Sequence, residues 1–253
     1  MISKREKTVV ITGGNKGIGA VISKIFYESE YSVVIGARDD NNVTAGLGEG
    51  AYFVKCDVKK KGDLENLSQE ALNLTGRVDV FINCAGYSQW SSVGELGDAF
   101  VDQMIDTNLK GVLWGCHAAS KTIKEGGSII NLSSLAGKRG SSNNSVYCAT
   151  KFGVNGITQS LAKELGSKGI RVNAVCPVYI KTKGLLEALE EEASPAGGQE
   201  VAEYLDDFEE TNTALGRLPT AEEIAKVCVF LAGEGASAVT GQCINVDCGV
   251  LPQ

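Results

Sequence analysis

Short β-branched and apolar runs recur along the chain at Val9–Ile11, Val33–Ile35, Tyr52–Lys55, Val78–Ile82, Ser128–Leu132, Arg171–Val175 and Cys243–Val246, and each reads as a strand. Between them, Ile18–Ser29, Leu64–Leu74, Phe100–Asn108, Val112–Lys124, Val146–Leu165 and Ala221–Leu231 carry helical spacing. Strands separated by helices imply right-handed βαβ crossovers. The expected fold is therefore a Rossmann-type, doubly wound α/β structure with a seven-stranded parallel sheet and helices on both faces. No Pro/Gly/Ser linker or composition break interrupts the rhythm, so residues 1–253 read as one domain.

Two segments depart from it. Asp39–Gly50 is polar and glycine-rich, which predicts at most a stunted helix in that crossover. Residues 183–213 are too long for a plain loop. There, Leu185-Leu186-x-x-Leu189 and Val201-x-x-Tyr204-Leu205-x-x-Phe208 predict two short amphipathic helices flanking Ser194-Pro195-Ala196-Gly197-Gly198. An excursion after a strand's carboxyl end is where a substrate lid belongs.

Composition narrows the function classes. With 253 residues, 43% hydrophobic, 22% charged and only 4 Pro, the chain can bury a sizeable core and is not disordered. Lys and Arg total 24 against 31 Asp and Glu, a net charge of −7, which argues against a broad cationic footprint for nucleic acid or anionic lipid. No run approaches the roughly 20 apolar residues of a membrane helix, and Met1–Lys7 leads into a strand without a signal-peptide apolar region, so a cytoplasmic protein is expected. The eight cysteines are dispersed without a C-x-x-C pair and read as reduced, mostly buried residues. The sole histidine, His117, lies in an apolar helical stretch and reads as structural, leaving no case for a metal site.

The placement of glycine matters more than its abundance. Thr12-Gly13-Gly14-Asn15-Lys16-Gly17-Ile18-Gly19 joins the first strand to the first helix. Gly13 permits the tight turn, Gly17 lets backbone approach a pyrophosphate, Gly19 allows close helix–strand packing, and the helix N-terminal amides hold phosphate. At the end of the second strand, Arg38 is placed to meet a ribose 2′-phosphate, with Lys16 as a second cation, so NADP(H) is favoured. Asp39 as a ribose acceptor is the NAD(H) alternative. Asp57, in Lys55-Cys56-Asp57-Val58, is placed to meet the adenine amino group.

Downstream, Tyr147-x-x-x-Lys151 puts a phenol and an ammonium one turn apart on one helix face, an arrangement that favours phenolate and suits proton exchange with an alcohol or carbonyl oxygen. Together with the glycine loop, Asn83-Cys84-Ala85-Gly86, Asp106-Thr107-Asn108 and Leu132-Ser133-Ser134, the chain resembles the short-chain dehydrogenase/reductases from about Thr8 to Gly249. The glycine loop with its Lys and the Ala37-Arg38 strand end look most like the NADPH-dependent carbonyl reductase type. The resemblance implies Ser134 as the serine that donates to the substrate oxygen, Tyr147 as general acid/base, Lys151 on the nicotinamide ribose while lowering the tyrosine pKa, and Asn108 holding a water that links Lys151 to solvent. It also implies cofactor contacts from Gly13, Asn15, Lys16, Gly17, Ile18, Gly19, Val58, Asn83, Ala85, Gly86, Pro177, Ile180 and Thr182. Two positions depart from the family's usual pattern: Cys84 stands where it has Asn, and Val178 where it has Gly.

Substrate is expected between the nicotinamide and the lid, bordered by Tyr87–Trp90, Ala136–Asn144 and Val178–Tyr179, with Ser134 and Tyr147 at the reacting oxygen. Trp90 and Tyr179 either pack on a substrate ring or serve the core. Between Gly184 and Glu210 the lid carries ten acids and no Lys or Arg, which either disfavours polyanionic substrates or only solvates two helix faces. The expected function is an NADP(H)-dependent carbonyl/secondary-alcohol oxidoreductase. An NAD-dependent dehydrogenase of a sugar, polyol or hydroxy acid and a non-catalytic dinucleotide-binding regulatory protein are the competing classes. The resemblance further implies a homotetramer or homodimer.

Overall fold

A computed structural model describes residues 5–252; Met1 to Lys4, part of the segment read as lacking a signal peptide, lie outside them. The strands are β1 (Lys7–Thr12), β2 (Tyr31–Ala37), β3 (Ala51–Lys55), β4 (Val78–Asn83), β5 (Ile123–Leu132), β6 (Arg171–Pro177) and β7 (Cys243–Val246). They form one parallel sheet in the order β3-β2-β1-β4-β5-β6-β7. Strand order reverses between β1 and β4, so the crevice beyond their carboxyl ends is the ligand position such a sheet offers.

Alternate strand residues supply the two faces, as period-two geometry requires. Val10, Val34, Phe81, Ile129 and Val172 pack under α3 (Lys61–Thr75), α5 (Gly111–Thr122) and α6 (Ser145–Leu165). Val9, Ile11, Val33, Ile35 and Val80 pack under α1 (Gly17–Glu28) and α9 (Ala221–Ala232). The stunted helix of the second crossover is α2 (Val43–Leu47), and the lid helices are α7 (Lys183–Leu189) and α8 (Val201–Asn212). A third apolar cluster joins the lid to the body through Trp90, Leu189, Leu205 and Leu218. Full burial of each such side chain is worth roughly 1.5–3 kcal/mol.

Two boundaries differ from the sequence pattern. Phe100–Asn108 and Val112–Lys124 are not separate helices: α4 (Asp98–Ile105) runs through a π-helical turn (Asp106–Lys110) into α5. A Cβ on Gly111 would lie 3.0 Å from Val58, so glycine lets the helix pass close to the segment after β3. At the other end, Ile123 leaves the helix and pairs with Val78, and Gly126 at φ +78° turns the chain into the buried half of β5.

The eight cysteines are free, and Cys56, Cys116, Cys148, Cys176 and Cys228 are buried. His117 is a helix–helix contact on α5, its Nε2 3.0 Å from Glu65, which Lys121 also pairs. Among the described residues no helix is long and apolar enough to cross a membrane.

A buried polar chain locks the middle of the sheet to α6. Asn83 Nδ2 donates to Asn131 Oδ1 at 2.9 Å, Asn131 Nδ2 to Thr158 Oγ1 at 2.9 Å, and Thr158 Oγ1 to the Val154 carbonyl at 2.8 Å. A Cβ on Gly115 would fall 1.9 Å from Asn83 Oδ1. Gly115→Ala is therefore expected to cost roughly 1–3 kcal/mol in denaturant unfolding. Gly62→Ala, which meets nothing within 4 Å, is the control expected to be near neutral; equal midpoints for the two variants would refute the packing argument.

Candidate active site

The cofactor end is built largely from backbone. Thr12 Oγ1 accepts from the N–H groups of Cys84 and Ala85 at 3.1 and 3.2 Å, tying the turn after β1 to the chain leaving β4. Gly13 sits at φ +69° with the place of a Cβ 2.9 Å from the Ala85 Cα, and a Cβ on Gly19 would lie 2.1 Å from the Gly13 carbonyl. Only glycine fits either position. No side chain caps the N-terminus of α1, so its first-turn amides remain available to an anion. Gly17, at φ +52°, is exposed, and its Cβ direction meets only the Thr182 methyl at 3.9 Å. The loop after β6 thus faces the glycine turn across the crevice.

Lys16 and Arg38 are both exposed and form no ion pair among the described residues. Asn15 Nδ2 donates to the Asp39 carbonyl at 2.6 Å and draws the two segments together. The Asp39 carboxylate is exposed beside them, whereas Asp40 is held by Thr44 at 2.8 Å. This set fits a dinucleotide: glycine cradle, uncapped amides and two unpaired cations at a strand end. Other expected contacts are structural in their side chains. Asp57 Oδ1 accepts from Lys59 N–H at 3.1 Å, the Val58 side chain is turned into the core, and Asn83 serves the buried chain above, so Val58 and Asn83 have only backbone to offer. Ile18 and Ile180 pack in the core beside α1, Pro177 ends β6, and Thr182 Oγ1 caps α7.

The catalytic end is built from side chains. Lys151 is 6% exposed, and its Nζ donates to the Leu132 carbonyl at 2.8 Å. Ser133 Oγ bonds the Lys151 carbonyl at 3.3 Å, while Ser134, at the start of a short 3-10 turn, stands against Tyr147. Gly86 lies under this group, with the place of its Cβ 3.0 Å from Asn108 Oδ1 and 3.8 Å from Lys151 Nζ. The Asn108 side chain fixes the backbone after Gly86: its Oδ1 accepts from Tyr87 N–H at 3.1 Å and its Nδ2 donates to the Tyr87 carbonyl at 2.8 Å. One expectation is corrected: the phenol is not lowered by its lysine neighbour. Burial pushes Tyr147 up to about 12, opposed by Ser134, because the ammonium is directed at Leu132 and stands 5.5 Å from the ring centroid. Burial also brings Lys151 down to about 8.

Beside α6 lies a cavity of about 260 Å³, with Trp90, Ser142, Asn143, Tyr179, Ala193 and Pro195 among its walls. All three expected border segments and the lid contribute, but Ser134, Tyr147 and Lys151 are not among its lining residues. Trp90 and Tyr179 line this cavity and also pack in the lid cluster, where Val178 joins them. Thr12 and Asn143 were not singled out by sequence. An Asn-Asn pair before a helix is the signal that marks the second, because asparagine tolerates the left-handed region.

Comparison with known proteins agrees with this geometry. The family model described as enoyl-(acyl carrier protein) reductase matches residues 13–251. The chain belongs to the short-chain dehydrogenase/reductase family. It is 36% identical to the short-chain dehydrogenase reductase ATA1 of Arabidopsis thaliana, covering 96% of this chain and 92% of that one. It is 34% identical to the 3-oxoacyl-[acyl-carrier-protein] reductase FabG of Chlamydia muridarum, covering 96% and 97%. A structure of an actinorhodin polyketide ketoreductase variant with NADPH superposes with a TM-score of 0.89 at 30% identity over 99% of both chains. This short-chain dehydrogenase/reductase is an oxidoreductase of the carbonyl/alcohol class.

Burial of Lys151 has a pH signature. Its folded pKa of about 8 lies below its ordinary 10.5, so the folded state carries a penalty of about 3 kcal/mol at neutral pH, relieved as pH rises from 8 through 10.5. Lys151→Met is expected to unfold at higher denaturant than the parent at pH 7, with the gain shrinking across that window. A gain independent of pH would contradict the assignment.

Proposed function

We infer that this protein is an NADP(H)-dependent oxidoreductase interconverting a carbonyl compound and a secondary alcohol. The observation that carries this reading is the convergence of Ser134, Tyr147 and the buried Lys151 at the carboxyl end of β5, beside an uncapped glycine turn. NADPH would supply the hydride for reduction. With its pKa near 12, Tyr147 keeps its proton through the neutral range and can donate it to a carbonyl oxygen, while the Ser134 hydroxyl steadies the charge developing there. Lys151 would hold the nicotinamide ribose, and Asn108 holds the Gly86–Tyr87 backbone that bounds the site. The ketoreductase and acyl-carrier-protein reductase relatives support carbonyl reduction.

Lys16 and Arg38 support the phosphorylated cofactor. The exposed Asp39 carboxylate supports a second reading, an NAD-dependent alcohol dehydrogenase on the same scaffold. Exposed Phe152 on α6 and half-exposed Phe230 on α9 support a homodimer or homotetramer, read here as a cytoplasmic assembly.

Tyr147→Phe is expected to lower kcat for carbonyl reduction by about 10²–10⁴-fold with cofactor affinity within a few fold of the parent. Retained turnover would refute the acid/base role. Fluorescence titration should give tighter binding of NADPH than NADH, and Arg38→Asp should weaken NADPH by roughly 10–100-fold, the worth of one charge-assisted contact. Equal affinities in the parent would favour the dehydrogenase reading.

A further inference from the structure

Tyr147 and Lys151 stand four apart on α6, and the next residue at that spacing is Asn155, 8% exposed. Its amide is bonded on both sides. Asn155 Nδ2 donates to the Gly137 carbonyl at 2.9 Å, and the thiol of Cys176, on β6, donates to Asn155 Oδ1 at 3.9 Å. Burial pushes that thiol up to about 11, so it keeps the proton it donates. The two contacts fix which way the amide points, with its oxygen toward Cys176 and its nitrogen toward Gly137.

Gly137 closes the turn that Ser134 opens. The Gly137 N–H donates to the Ser134 carbonyl at 2.9 Å, and the Ala136 N–H donates to Ser134 Oγ at 3.1 Å. The hydroxyl thus accepts from within its own turn and keeps its O–H free to donate outward. Where the Leu135–Gly137 turn stands, the Ser134 hydroxyl stands with it. Helix α6 grips the segment on both sides of Ser134: Ser133 Oγ donates to the Lys151 carbonyl at 3.3 Å, and Asn155 holds the Gly137 carbonyl. The approach is close, since a Cβ on Gly137 would fall 2.9 Å from Asn155 Nδ2. Packing alone does not call for an amide here, because an apolar side chain of similar size fills the place without the desolvation cost of a buried amide.

We propose that Asn155 is a positioning residue for Ser134: through the Gly137 carbonyl it sets where the Ser134 hydroxyl stands against the Tyr147 phenol. The proposal rests on the carbonyl-reductase reading and adds a residue to the machinery of that site. Asn155 acts through the turn alone.

The test is a double-mutant cycle on the full chain, run with NADPH and the best substrate from a panel of aldehydes, ketones and 3-oxoesters. Asn155→Leu keeps the size and removes the donor; Asn155→Ala removes the donor without adding bulk. Each should lower kcat about tenfold, part of the roughly 10²–10³-fold that Ser134→Ala takes by removing the hydroxyl itself, with NADPH affinity within a few fold of the parent. On the Ser134→Ala background the same changes should alter kcat less than about twofold, since no hydroxyl is left to place. Hydrogen exchange of the cofactor-free protein should quicken across residues 134–139 by roughly fivefold in both Asn155 variants, as loss of one hydrogen bond allows. Unchanged exchange there, unchanged kcat in the two variants, or the same loss on both backgrounds would each overturn the proposal, the last by showing a merely structural role. If the parent reduced no carbonyl at all, the reductase reading would fall and the positioning role with it, whereas the exchange data would still decide whether Asn155 holds the turn.

Discussion

The catalytic half of the molecule depends on one unfavourable placement, an ammonium sealed inside the protein. Lys151 Nζ has the Leu132 carbonyl at 2.8 Å, and burial lowers its pKa to about 8. A buried charge is tolerated only where surrounding groups hold it. Here backbone closes around it: a Cβ on Gly137 would lie 2.7 Å from the Lys151 carbonyl, and one on Gly86 would lie 3.8 Å from its Nζ. Glycines at those positions let β4, β5 and α6 converge. With Lys151 fixed, Tyr147 stands one turn earlier on the same helix face, against Ser134.

The two ends of the site are made by different means. At the cofactor end, specificity of shape comes from missing side chains: the Gly19–Gly13 and Gly13–Ala85 approaches leave no room for a methyl group. Charge enters only at the rim, through Lys16 and Arg38. At the catalytic end, shape comes from side chains that bond backbone, as Asn108 does to Tyr87 and Ser133 to Lys151. A dinucleotide phosphate needs many amides and close backbone approach, whereas proton transfer needs a few groups whose protonation is controlled by burial.

The strands were legible in sequence because a parallel sheet buried on both faces leaves nearly continuous apolar runs, as in β2 and β4. The glycine turn, Ser134, Tyr147 and Lys151 were legible because their spacing is fixed by that sheet. What escaped depends on contacts distant in sequence. The π-helical turn at Asp106–Lys110 joins two helices that the apolar pattern separates, and it places Asn108 against Tyr87, 21 residues away. The local pattern also favours helix at Ile123, yet pairing with Val78 makes it a strand. The phenol and ammonium of Tyr147 and Lys151 invite a lowered tyrosine pKa, but only the fold reveals that burial outweighs it and that Leu132 claims the ammonium.

The lid's acidity can be separated from its docking. Its carboxylates lie mainly on the outer faces of α7 and α8, and Lys181 beneath the lid pairs with Glu209 at 2.6 Å and Asp206 at 3.7 Å. Leu189 and Leu205 carry the docking, while the cavity beneath has no charged lining. Exposed charges act over a Debye length of about 8–10 Å at ordinary ionic strength. The field of these acids therefore bears on how fast a charged molecule approaches, a salt-dependent effect. Charge thus belongs to the solvent-facing surfaces of the two helices, and docking to the apolar residues that they turn toward the body of the molecule.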